Sequence, residues 1–97
     1  MIRVANNRIE ISGPINMADS AGLLAEGMAA LSAIGAANVA EFDLAGVTDI
    51  DSSALAVVFG WMRVAQASGK SIQLVNPPQN FLSLATVYGV TDLLPQH

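Results

Sequence analysis

Cysteine is absent from this 97-residue chain, so no disulfide, thiolate nucleophile or Cys-ligated metal is available to it. Charge is scarce: 12% of residues are Asp, Glu, Lys or Arg, against roughly 25% in an average soluble domain. Four Lys and Arg stand against eight Asp and Glu, giving a net charge of −4 with no basic cluster. That balance argues against nucleic acid and against an anionic membrane surface as partners. The single histidine is the final residue, His97. A Ser/His/Asp hydrolase therefore lacks a plausible base. The longest uncharged stretch, 71–91, contains Asn76-Pro77-Pro78-Gln79-Asn80, which rules it out as one membrane-spanning helix of about 20 apolar residues. Arg3, Asn6, Asn7, Arg8 and Glu10 occupy the place where a signal peptide needs its apolar core. A cytoplasmic protein is expected. Neither a Gly-rich dinucleotide loop nor a P-loop lysine motif occurs.

What is present in quantity is hydrophobicity, 53% of the residues. A chain of this length forms one domain, 1–97, and buries roughly 60–65% of the surface it would expose when unfolded. Ile2-Arg3-Val4 and Arg8-Ile9-Glu10-Ile11-Ser12 alternate apolar with polar, with Asn6-Asn7 suited to a hairpin turn between them. Gly13-Pro14 breaks the alternation. A helix follows over 18–33, with Leu24, Met28 and Leu31 at helical spacing; Gly22 and Gly27 cost it about 1 kcal/mol each, so it needs tertiary support. Residues 39–44 read as a strand, 46–51 as a loop and 52–67 as a helix, with Gly69 just past its end. A strand over 71–75, a helix over 79–88 and a short turn over 91–94 complete the order β-β-α-β-α-β-α. The expected architecture is α/β: a mixed sheet of about four strands, parallel apart from the opening hairpin, with helices packed on it.

The informative stretch for function is Asp49-Ile50-Asp51-Ser52-Ser53-Ala54-Leu55. Asp49 and Asp51 alone make a poor cation site, since no further acidic ligand or phosphate cradle accompanies them; Asp51 is better suited to cap or orient the helix that follows. Ser52 and Ser53 fall at the helix N-terminus, where one hydroxyl serves as cap and the second is left free. A phosphoryl group there would be favoured by the helix dipole and would add up to two negative charges beside Asp49 and Asp51. Along the helix, Leu55, Val58, Phe59 and Met62 share a face expected to pack on the sheet, and Ala54, Val57, Trp61 and Val64 form a second apolar face. Arg63 is the only charge between Asp51 and Lys70. Trp61 and its neighbours are therefore expected to face a partner, with Trp61 as the anchor.

These residues carry a family resemblance. The run from Phe42 to Leu55, FDLAGVTDIDSSAL, resembles the signature of STAS domains (sulfate transporter and anti-sigma factor antagonist): a strand ending in D-L, then a loop leading to D-[ST]-[STG]-[GA]-L. Ile11-Ser12-Gly13-Pro14-Ile15 resembles the family's earlier G-x-[LIV] segment, and Ser68-Gly69-Lys70 before a strand also fits. The likeness spans nearly the whole chain. Within the family it is greatest to the small stand-alone STAS subunit of Mla-type phospholipid-trafficking ABC transporters, through the apolar helix after the motif, the segment 82–90 and the Leu93-Leu94-Pro95 ending.

That resemblance implies a non-enzymatic accessory subunit without metal or cofactor, held at the inner face of the inner membrane through its partner and not inserted itself. It would bind the transporter's ATPase subunit, supporting its assembly or activity in maintaining outer-membrane lipid asymmetry. The residues implicated are Asp51, Ser52, Ser53, Ala54, Val57, Trp61 and Val64. The alternative is an anti-sigma factor antagonist in which a partner kinase phosphorylates Ser52 or Ser53; a homodimer is compatible with either. Two positions depart from the family pattern. Asn16 stands where the antagonists usually carry Asp, which weighs against kinase control, and Ala54 replaces Gly at the helix start.

Overall fold

Alternation of apolar and polar residues builds a sheet with one dry and one wet face. The computed structural model describes residues 2–5, 8–34 and 39–94. Strand β1 (Ile2–Ala5) pairs antiparallel with β2 (Arg8–Ile15), Ile2 opposite Ile11 and Ala5 opposite Arg8. The Asn6-Asn7 turn lies outside the described residues, as does His97. Strands β3 (Val39–Ile50) and β4 (Ser71–Val75) add in parallel, giving the spatial order β1-β2-β3-β4. Helices α1 (Ser20–Ala33), α2 (Ser53–Ala67) and α3 (Gln79–Val87), with a 3₁₀ turn at Thr91–Leu93, complete the expected β-β-α-β-α-β-α order.

The dry face carries Ile9, Ile11, Phe42, Leu44, Ile72 and Leu74, which form one cluster with Leu23 and Leu31 of α1, Val58 and Trp61 of α2, and Phe81 and Ala85 of α3. The wet face carries Arg3, Arg8, Glu10, Glu41 and Asp43. Arg3 pairs with Glu10, and Arg8 reaches Glu41 at 3.1 Å and Asp43 at 3.5 Å. Such exposed pairs contribute at most about 1 kcal/mol each. Their larger effect is on register, because a slip of one residue would drive them into the core.

The strands run past the limits expected from sequence. Residues 46–51 were expected to be a loop, but β3 continues to Ile50, and β2 continues through Gly13-Pro14 to Ile15. The two stay paired, Ser12 with Gly46, Gly13 with Val47 and Ile15 with Ile50, through two register shifts. Gly13, at φ 85°, supplies a backbone conformation that other residues rarely adopt, so the break in alternation is a bulge inside a strand.

The second apolar face of α2 is not free. Ala54, Val57 and Trp61 are buried together with Leu55 and Val58, while Val64, Phe59 and Met62 are half-buried. At about 100° per residue the two apolar stripes are centred only about 130° apart. They merge into one wide arc, covered on one flank by the sheet and on the other by α1. Trp61 stacks on Phe42, ring centroids 4.7 Å apart, and its indole Nε1–H donates to the Leu23 carbonyl at 3.2 Å. Gly27 makes this possible, since a methyl group there would overlap the indole; at Gly60 it would approach Leu24 Cδ1 to 2.6 Å. The buried stripe of α1 is accordingly Leu23, Gly27, Ala30 and Leu31, with Leu24 half-buried and Met28 exposed.

Candidate functional site

At the carboxyl ends of β2 and β3, the turn into α1 and the turn into α2 meet at one side chain. The backbone of Asp51 donates to the Ile15 carbonyl at 3.2 Å, holding the start of α2 against the end of β2. Its carboxylate accepts on both oxygens. Oδ1 takes the Ser53 amide at 2.9 Å and the Ser53 hydroxyl at 2.5 Å, and Oδ2 takes the Met17 amide at 3.0 Å. These donors hold the Asp51 carboxyl below its ordinary pKa, the Ser53 hydroxyl most, then the Ser53 amide, then the Met17 amide; desolvation works weakly the other way.

The opening amides of α2 are thereby satisfied. Ser53 N–H bonds to the Asp51 carboxylate, Ala54 N–H to the Asp51 carbonyl at 3.0 Å, and Leu55 N–H to the Ser52 carbonyl at 3.2 Å. Capping was expected of one serine hydroxyl, but Ser52 makes no capping bond and the Ser53 hydroxyl is turned toward Asp51. Asp51 orients the helix instead, because an ionised carboxylate is the stronger acceptor. The two hydroxyls differ in consequence. Ser53 is half-buried and committed, whereas Ser52 is exposed.

The turn before α1 is equally ordered. Asn16 accepts the Asp19 amide on Oδ1 at 3.0 Å, and the Ser20 hydroxyl donates to the Met17 carbonyl at 3.1 Å. Asn16 thus does the work of a turn-forming side chain without bringing a charge. On the far side, Asn80 Nδ2 donates to the Thr48 carbonyl at 3.4 Å and ties the start of α3 to the end of β3.

Of the residues singled out from sequence, Asp51, Ser52 and Ser53 come together here. Ala54, Val57 and Trp61 do not reach this surface, being in the core, and half-buried Val64 lies further along α2. Met17 joins Asp51, Ser52 and Ser53 at this surface without a motif to mark it. Its only sequence signal is its position just after the Gly-Pro-Ile-Asn segment, and the tie to Asp51 is between residues 34 apart in the chain.

A family model described as MlaB, STAS domain, matches residues 2–95. The chain belongs to the STAS domain family. This STAS domain is similar to the intermembrane phospholipid transport system binding protein MlaB of Haemophilus influenzae, at 33% identity over 54 residues. The match covers 56% of the chain and about half, 51%, of that relative. Among solved structures, the anti-sigma factor antagonist SpoIIAA in its unphosphorylated form matches all of this STAS domain and 86% of its own chain, with TM-score 0.73 and 18% identity. An anti-sigma factor antagonist from Mycobacterium paratuberculosis matches 100% and 82%, with TM-score 0.73 and 14% identity. At these identities the likeness shows the fold. No helix among the described residues is long and apolar enough to cross a membrane.

Proposed function

We propose that this STAS domain is a non-enzymatic accessory subunit that binds the cytosolic ATPase of a phospholipid-trafficking ABC transporter and supports its assembly or activity. The observation that carries the reading is the exposed Ser52 hydroxyl, mounted on a turn that Asp51 fixes to both neighbouring elements. A rigidly held polar group at the start of a helix suits docking, because little ordering entropy is lost on association. The family match and the MlaB relative support the choice of partner. Trp61 is a core residue and not an anchor, so its substitution would test folding and not binding. The test is co-purification of the ATPase subunit from the same organism with the wild-type chain and with Ser52→Arg. Recovery with the wild type and loss with a folded Ser52→Arg support the reading; equal recovery contradicts it.

The second reading, an anti-sigma factor antagonist switched by phosphorylation, draws on the same hydroxyls. Ser52 is the acceptor favoured by the geometry, since modification of Ser53 would first have to displace Asp51. Intact-mass measurement on protein from its native host decides it. A phosphorylated fraction on Ser52 supports the switch, and none under any growth condition contradicts it.

A further inference from the structure

With the apolar residues of α2 taken up by the core, a docking surface at Ser52 needs its hydrophobic contact elsewhere. Met17 is 73% exposed, and it is held in place by an ordered turn: its amide donates to Asp51 and its carbonyl accepts from Ser20. The hydrogen bond to Asp51, the residue before Ser52, joins Met17 to the Ser52 surface. The other strongly exposed apolar residues among those described are Val87 (79%), Leu93 (61%) and Tyr88 (56%), at the end of α3 or beyond it. Helix α3 begins beside Thr48 and runs nine residues, about 13 Å, away from it. Val87, Tyr88 and Leu93 are not tied to the Met17–Asp51 turn by any hydrogen bond among the described residues. Charge adds a second constraint. Asp19, two residues after Met17, and Asp49, two before Asp51, are exposed, and neither forms an ion pair among the described residues.

We infer that Met17 is the apolar anchor of the partner-binding surface, received by an apolar pocket with a basic rim on the ATPase subunit. This rests on the function proposed above. An unbranched thioether side chain adapts to such a pocket, and the carboxylates of Asp19 before α1 and Asp49 at the end of β3, without ion pairs among the described residues, favour a cationic surround.

Binding of the purified ATPase subunit to the full chain by isothermal titration tests it, with Met17→Glu, Met17→Leu and Val87→Glu beside the wild type. Both positions are exposed, so the thermal midpoints of the three variants should agree and fold loss is separable from binding loss. Affinity about tenfold or more weaker for Met17→Glu, with Met17→Leu and Val87→Glu within about twofold of wild type, is the expected result. Met17→Glu binding as tightly as wild type would overturn the anchor while leaving the proposed function intact. A wild-type chain that does not bind the ATPase overturns both.

Discussion

Oδ1 of Asp51 accepts both the amide and the hydroxyl of Ser53, at 2.9 and 2.5 Å, while its other oxygen holds Met17. One carboxylate thus fixes the start of α2 and the approach to α1 together. Replacing Asp51 by Ala leaves the Met17 and Ser53 amides without this acceptor and should lower the urea midpoint. Ser52→Ala should leave it unchanged, because the Ser52 hydroxyl makes no capping bond. A midpoint insensitive to Asp51→Ala would contradict this assignment.

The same hydrogen bonds give stability a pH dependence of fixed sign. Asp51 has a lower pKa folded than unfolded, so the unfolded chain binds the proton more readily. Its contribution is present in full above the ordinary carboxylate value, about 4. It is lost as pH falls below that value, through the lowered one. The stability difference between wild type and Asp51→Asn should therefore be constant near neutrality and shrink in acid, as followed by urea unfolding at a series of pH values. A difference that grew in acid would contradict it.

Two glycines of α1 should respond in opposite senses to alanine. At Gly22 nothing lies within 4 Å of an added methyl group, so Gly22→Ala should gain up to about 1 kcal/mol from helix propensity. At Gly27 the methyl group overlaps Trp61, and the forced repacking should cost about 1–3 kcal/mol net. Trp61 is the only tryptophan, so its own fluorescence reports both unfolding curves. Being fully buried, it should emit at short wavelength when folded and shift red on unfolding.

Acidic replacements should separate the two serines. Ser52→Glu places its charge in solvent and should fold with near wild-type stability. Ser53→Glu sets a second carboxylate against Asp51 and should be destabilised, by an amount that diminishes in acid. Thermal unfolding of the pair checks this; equal midpoints would mean the Ser53 hydroxyl is not committed to Asp51.

Much of the fold was legible because each element carries its own local signal: alternation in Arg8–Ser12, a Gly stop after α2, and the Pro-Pro turn before α3. The extension of β3 to Ile50 was not, since it depends on a bulge at Gly13 that keeps two irregular stretches paired. The buried place of Trp61 is not legible, for a different reason. Helical spacing marks which residues share a stripe, but whether a second helix covers that stripe was decided by Gly27 and Gly60, whose missing side chains let α1 and α2 approach closely. At the site, Asp51, Ser52 and Ser53 were readable from their types and order. The difference between the two hydroxyls, and the placement of Met17, follow from contacts that only the folded chain makes.

Amide hydrogen exchange of the chain, alone and bound to the ATPase subunit, tests the proposed docking surface most directly. Protection should increase at Met17 and over 49–53, with no increase over Val87–Leu93. Protection confined to Val87–Leu93, with 49–53 unchanged, would contradict docking through the Ser52 surface.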